Sequence, residues 1–237
     1  MAKRKLEIIS RFLTPAITFW LKTQLESVED LDIKIVAGDT KILRGKIDEV
    51  SVSTSKVIYD GIHVNQANVS TEKIAVNLGG VLRGKPLKLL QPIFVGGEIR
   101  LTPDDLKTSL QSPLLKQGLI DLVILLLKEK QIDDRESLVG QYKFTWEDIL
   151  LFADKFILKA NLTNQQKQTF DLQITANLTL QDSHTLNMSP IQIEGIPEIP
   201  MIVLNEFSVD LGTDVEIEEL KLGDRGLSCQ GKAKVVS

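Results

Sequence analysis

The run "FDLQITANLTL", Phe170–Leu180, decides the fold class. Phe170, Leu172, Ile174, Ala176, Leu178 and Leu180 take every second position, and polar residues fill the places between. Successive side chains of a strand point to opposite faces, so this spacing builds one apolar face and one wet face. A strand wet on one side belongs to an antiparallel sheet, because all-parallel sheets are covered on both faces. The same alternation runs through Phe156, Leu158, Ala160 and Leu162, and through Leu227, Cys229, Gly231, Ala233 and Val235. From Asp32 to Leu101 it recurs in shorter pieces, such as Val50/Val52 and Ile74/Val76/Leu78, with Asp60-Gly61 as a hairpin turn between strands. Ala160, Ala176, Gly231 and Ala233 are small residues at inward positions, and they leave room for a closely packed helix or for a ligand.

Helices frame these strands. Apolar residues from Leu6 to Leu25 recur at three- and four-residue spacing, which predicts an amphipathic helix over residues 4–26, kinked or restarted at Pro15. Thr102-Pro103-Asp104-Asp105 and Ser112-Pro113 each pair a capping hydroxyl with a following proline, so helices start there. The second leads into "LLKQGLIDLVILLLKEK", whose six residues Leu122–Leu127 are apolar without a break. Six consecutive positions cover every side of a helix, so burial on all sides is expected, by sheet on one flank and by a lipid chain or another helix on the other. A further T-x-x-D cap at Thr145–Asp148 predicts a helix over Ile149–Asp154. The pattern reads as α+β, a curved antiparallel sheet wrapping long apolar helices, with residues 1–28 an N-terminal helix and 29–237 one domain.

Composition narrows the function. The chain of 237 residues is 43% hydrophobic and 25% charged, as a soluble protein is, and only 5% aromatic. Few aromatics and a net charge of -4 argue against nucleic acid, which requires stacking surfaces and cations. One cysteine and two histidines cannot build a zinc site of the usual kind, and no cofactor is expected. No nucleophile elbow, Walker loop or dinucleotide fingerprint occurs. Asp182-Ser183-His184 has the residue types of a catalytic triad, but chain neighbours do not face one another in triad geometry. The Asp104-Asp105 and Asp133-Asp134 pairs read as helix-cap and loop residues, and the sequons at Asn68, Asn161, Asn177 and Asn187 as polar strand positions. The chain is expected not to be an enzyme.

Charge is unevenly distributed. Lys3, Arg4, Lys5, Arg11 and Lys22 face a single carboxylate, Glu7, within residues 1–25, whereas 206–224 is strongly acidic. Cations beside Phe12, Phe19 and Trp20 suit a helix lying in the interface of an anionic membrane, and the same helix suits docking on the protein's own sheet. Glu7, Arg11 and Pro15 interrupt any secretory signal, so a cytoplasmic position, peripheral at a membrane, is expected. Leu-Arg-Gly-Lys occurs twice, at Leu43–Lys46 and Leu82–Lys85. Such turns can touch lipid phosphate, though solvation is their commoner fate.

Arg44–Val52 (R-G-x-I-x-x-V-x-V), Asp60–Val64 (D-G-I-x-V) and Leu101–Leu115 (L-T-x-x-D-L…S-P-x-L) resemble the LmeA-like phospholipid-binding domain family of actinobacteria and cyanobacteria. With the strands of Phe207–Val236, the resemblance covers most of residues 30–236. It implies a fold similar to the tubular (TULIP-type) lipid-binding domains and a non-catalytic carrier for phospholipid or another acyl lipid. Residues expected to line an apolar cavity are Leu115, Leu119, Val123, Leu126 and Leu127 on the helix, with Phe156, Phe170, Leu172 and Ile174 on strands. A packed interaction protein that docks on a membrane or partner is the alternative, and a cavity discriminates between them. Mycobacterial family members are exported to the cell envelope; this N-terminus departs from that pattern.

Overall fold

A computed structural model describes residues 9–132 and 135–236. It is α+β and mostly antiparallel, with two open six-stranded sheets in place of the single wrapping sheet expected. The first sheet takes β1 (Ser27–Val36), β2 (Lys46–Tyr59), β3 (Ile62–Ala75), β4 (Ile93–Leu101), β11 (Val215–Gly223) and β12 (Gly226–Val235), in the order β1-β2-β3-β4-β12-β11. The second takes β5 (Lys143–Phe152), β6 (Lys155–Thr163), β7 (Thr169–Asp182), β8 (Thr185–Glu194), β9 (Ile202–Leu204) and β10 (Phe207–Asp210). Its order is β10-β8-β7-β6-β5, with β9 also on β8. The second sheet is thus inserted in sequence between β4 and β11. The β2–β3 hairpin turns on Asp60 and Gly61 at φ 49° and 72°, the two left-handed positions that a tight Asp-Gly turn supplies at low cost.

Each sheet has its own helix and core. α1 (Thr14–Gln24) follows a π-helical turn at Ile9–Leu13, and Pro15 lies in its first turn, where a missing N–H costs nothing. The predicted start at residue 4 lies outside the described residues. Leu13 and Ile17 are buried with Ile47, Val50, Ile74 and Ile93 of the first sheet. Short helices α2 (Asp39–Ile42) and α3 (Leu78–Val81) close the same end. α4 (Pro103–Ser109) begins at a capping box in which the Thr102 hydroxyl accepts from the Asp105 N–H and the Asp105 carboxylate accepts from the Thr102 N–H. α5 (Pro113–Glu129), capped by the Ser112 hydroxyl, and α6 (Arg135–Gly140) cover the second sheet. α4 and α5 together have the length and composition of a membrane span but meet at 83°, and no single helix among the described residues is long and apolar enough to cross.

Two further expectations are corrected. Residues 149–154 do not form a helix; Lys143–Phe152 is β5, paired with β6 from Phe144↔Leu162 to Phe152↔Lys155. A register shift between Trp146 and Asp148 moves the inward positions from 144 and 146 to 149 and 151, which erases the period-two signal. The apolar block this leaves, Ile149–Phe152, imitates a helix after a cap. The second correction concerns α5, which is buried on one side rather than all round. Val123, Leu126 and Leu127 are fully enclosed, while Leu114, Gly118, Asp121 and Leu125 share an exposed stripe at helical spacing.

Candidate functional site

The nine residues expected to bind lipid do come together. Leu115, Leu119, Val123, Leu126 and Leu127 of α5 pack in one cluster with Phe156 of β6 and Phe170, Leu172 and Ile174 of β7. Val123, Leu126 and Leu127 are 0% exposed and Leu172 and Ile174 are 1% exposed, so no water-sized space adjoins them. In this conformation helix and sheet fill each other's grooves, as a protein interior does.

An open apolar surface lies instead on the first sheet. The register aligns Val52, Val69, Gly97, Gly231 and Ile217 in one row across β2, β3, β4, β12 and β11. The next row on the same face is Thr54, Ala67, Ile99, Cys229 and Leu220, and beyond it Leu101, Leu227 and Leu222. α1 covers one end of this face, where Ile33, Ile35, Val52, Val95 and Val235 pack against its core. Val69, Ile99, Cys229, Ile217 and Leu220 are half-buried and belong to neither core. The floor at the middle is bare of side chains because Gly97 and Gly231 face each other. A Cβ on Gly97 would lie 2.1 Å from the Asn68 carbonyl oxygen, and one on Gly231 2.3 Å from that of Glu216. Burial pushes the Cys229 thiol pKa up, as expected for a thiol on an apolar face.

The reverse face of that sheet is wet. Ser51, Ser70 and Lys232 align there, as do Asn68, Glu98 and Gln230. Glu98 holds Arg100 at 2.7 Å and Glu218 holds Lys232 at 2.8 Å. Hydrogen bonds to those partners lower the two carboxyl pKa values and raise those of the two cations. One face for water and one for hydrocarbon is the division that alternation predicts.

Of the residues expected to meet a membrane, Lys3, Arg4 and Lys5 lie outside the described residues. Arg11 is exposed, with its guanidinium 5.7 Å from the centre of the Phe12 ring. Phe12 and Trp20 are half-buried against the α1 core, and Phe19 is 64% exposed. α1 therefore docks its apolar face on the protein and leaves Phe19 outward.

The triad-like run is structural. The Asp182 carboxylate accepts the His184 backbone N–H, and that bond is the main reason its pKa falls. His184 Nδ1 lies 2.6 Å from the Val215 carbonyl, and the Ile217 N–H donates to the Ser183 carbonyl at 2.7 Å. The β7–β8 turn thereby fastens the second sheet to β11 of the first. Asp105 is spent on the α4 cap, and Asp133 and Asp134 are outside the described residues. Among the described residues no group of three His, Cys, Asp or Glu side chains is placed to hold a metal. Sequence reasoning singled out Gly231 and Ala233 as small inward residues but missed the row of Gly231, since only the register puts Gly97 opposite it; Ala233 pairs with Val95 in another row and is exposed.

The family model described as LmeA-like phospholipid-binding matches residues 5–232, nearly the whole chain, and the chain belongs to that family. No curated protein matches it. No solved structure matches it either.

Proposed function

We propose that this member of the LmeA-like phospholipid-binding family holds its lipid by laying acyl chains along the open apolar face of the first sheet, between α1 and β11. The observation that carries the proposal is that face itself: a glycine-floored row flanked by half-buried Val69, Ile99, Ile217 and Leu220 outside both cores. The driving force is removal of alkyl surface from water, about 0.8 kcal/mol per methylene, offset by the lost freedom of the chain. No bond is made or broken. In this reading the protein is a carrier peripheral to a membrane, related in principle to the tubular lipid-binding domains. The contending reading, an interaction protein with a solid core, draws support from the tight packing between α5 and the second sheet.

Native purification followed by solvent extraction and mass spectrometry tests the proposal. Stoichiometric phospholipid is expected, and Ile99→Lys, which plants a charge on the apolar row, is expected to abolish it while the fold survives. A wild-type protein free of lipid and unable to move lipid between vesicles would leave the interaction reading standing.

A further inference from the structure

The repeated tetrapeptide Leu-Arg-Gly-Lys forms two copies of one turn, side by side. Leu43 and Leu82 follow α2 and α3 with nearly the same backbone, φ -64° and ψ -20° against φ -63° and ψ -19°. Gly45 and Gly84 then take φ 72° and 76°. The hydrogen bonds repeat as well: Arg44 N–H to Lys41 carbonyl and Gly45 to Ile42 in one, Arg83 to Gly80 and Gly84 to Val81 in the other. The residue before each leucine, Ile42 or Val81, is buried in the α1 core, while Leu43 and Leu82 are 51% and 44% exposed. The turns adjoin, since the Val76 N–H donates to the Gly45 carbonyl at 2.8 Å and a Cβ on Gly45 would lie 3.4 Å from that of Leu78. Leu90, 63% exposed, joins the same end through its N–H to the Ala75 carbonyl.

Cations predominate at this end, beside the carboxylate of Asp48. Residues 41–46 and 76–91 hold six cations and no carboxylate, in a chain whose net charge is -4. Lys41 is taken by Asp48 at 2.7 Å. Arg44, Arg83, Lys85 and Lys88 are exposed and have no ion-pair partner among the described residues. Lone exposed leucines need no explanation, but three at one end, with these four cations on the same turns and the loop that follows, match a bilayer interface of hydrocarbon and phosphate. Exposed Arg11 stands at the same end, because Leu13 beside it packs in one core with Leu78 and Val81.

We infer that the paired Leu43–Lys46 and Leu82–Lys85 turns are the surface by which the protein docks on an anionic phospholipid bilayer, with Leu43, Leu82 and Leu90 inserted among headgroups. The inference deepens the lipid-binding reading. Strands β4 and β12 have their Ile93 and Val235 ends here, so a docked molecule turns the α1-covered end of that face to the membrane and leaves the open rows at its far end.

Sedimentation with vesicles of phosphatidylcholine, with and without phosphatidylglycerol, tests the inference. Wild-type protein is expected to bind the anionic vesicles in a salt-sensitive manner and the neutral ones weakly. Arg44→Gln with Arg83→Gln is expected to lose about thirtyfold in affinity, at roughly fivefold per cation. Leu43→Ser with Leu82→Ser is expected to lose binding at high salt as well, where only insertion remains. Lys128→Gln with Lys130→Gln, elsewhere on the surface, is expected to bind as wild type. Undiminished binding by both turn variants, equal loss in the Lys128/Lys130 control, or binding to an oligonucleotide in place of vesicles would overturn the inference. Extracted lipid content keeps the two readings separate. Turn variants should retain it, whereas a wild-type protein that sediments but carries no lipid defeats only the apolar-face proposal.

Discussion

Replacing Leu127 by Ala tests whether the space between α5 and the second sheet is packed protein or a collapsed lipid chamber. Leu127 is 0% exposed and sits among Val123, Leu126, Leu158, Leu172 and Ile174. Truncation removes three carbons, about 2.4 kcal/mol at roughly 0.8 per carbon, and a cavity left behind adds to that, for a total of about 3–4 kcal/mol. For a chain of this size each kcal/mol shifts Tm by about 2–4 °C, so a fall of roughly 6–16 °C is expected. Leu125→Ala on the same helix is the control, because its side chain is 45% exposed and its loss should stay below about 1 kcal/mol. Urea unfolding of lipid-extracted protein, with far-UV circular dichroism as the signal, measures both. A Leu127 loss as small as that of Leu125 would refute the packing argument, because slack around the side chain is the only way to remove it so cheaply.

Three further outcomes are expected. Cys229 should react with iodoacetamide more slowly than a free thiol at pH 8, because its raised pKa leaves less thiolate, and lipid loading should slow it again; labelling at the free-thiol rate would show that the row is not sheltered. Thr102→Ala removes the hydroxyl of the α4 capping box and should cost about 1 kcal/mol in denaturant unfolding, with Thr102→Ser recovering most of it. Gly97→Ala should cost about 3 kcal/mol or more by thermal melt, because its Cβ would lie 2.1 Å from a backbone oxygen; a tolerated alanine would mean that β3 and β4 do not approach as described.

How much of this was legible beforehand depended on whether a signal was local. The Phe170–Leu180 alternation, the Asp60-Gly61 turn and the hydroxyl-proline caps at Thr102 and Ser112 depend on residues close in sequence, and each produced the element it implied. At Thr145–Asp148 a local signal misled. The T-x-x-D spacing is a cap only if the following residues coil, and pairing of β5 along the whole of β6 outweighed it. The bulge after Trp146 hid the competing strand. The helix–strand cluster around Leu127 was foreseeable from apolarity, but its tightness was not, since packing density is a property of facing surfaces. The apolar row on the first sheet was the least legible. Its members come from β2, β3, β4, β12 and β11, which span 52 to 231 in sequence, and only strand order assembles them.

The two halves of the molecule meet the same physical demand in different ways. In the second sheet, the inward strand side chains pack with α5 into one core whose central residues, among them Leu158, Leu162, Leu172 and Ile174, are at 0–1% exposure. In the first sheet, α1 is eleven residues long and reaches only one end of a six-stranded face. The apolar alternation nevertheless continues to β11, where Ile217 and Leu220 stay half-buried. Hydrophobic residues kept in register beyond the reach of the covering helix contribute nothing to that helix's docking. Leaving them wet also costs solubility unless something else covers them. A family of phospholipid binders has an occupant of the right chemistry. The paired Leu-Arg-Gly-Lys turns stand at the end of the same face where β4 begins, which α1 covers, so docking by those turns sets α1 nearer the bilayer than the open rows around Ile99 and Leu220.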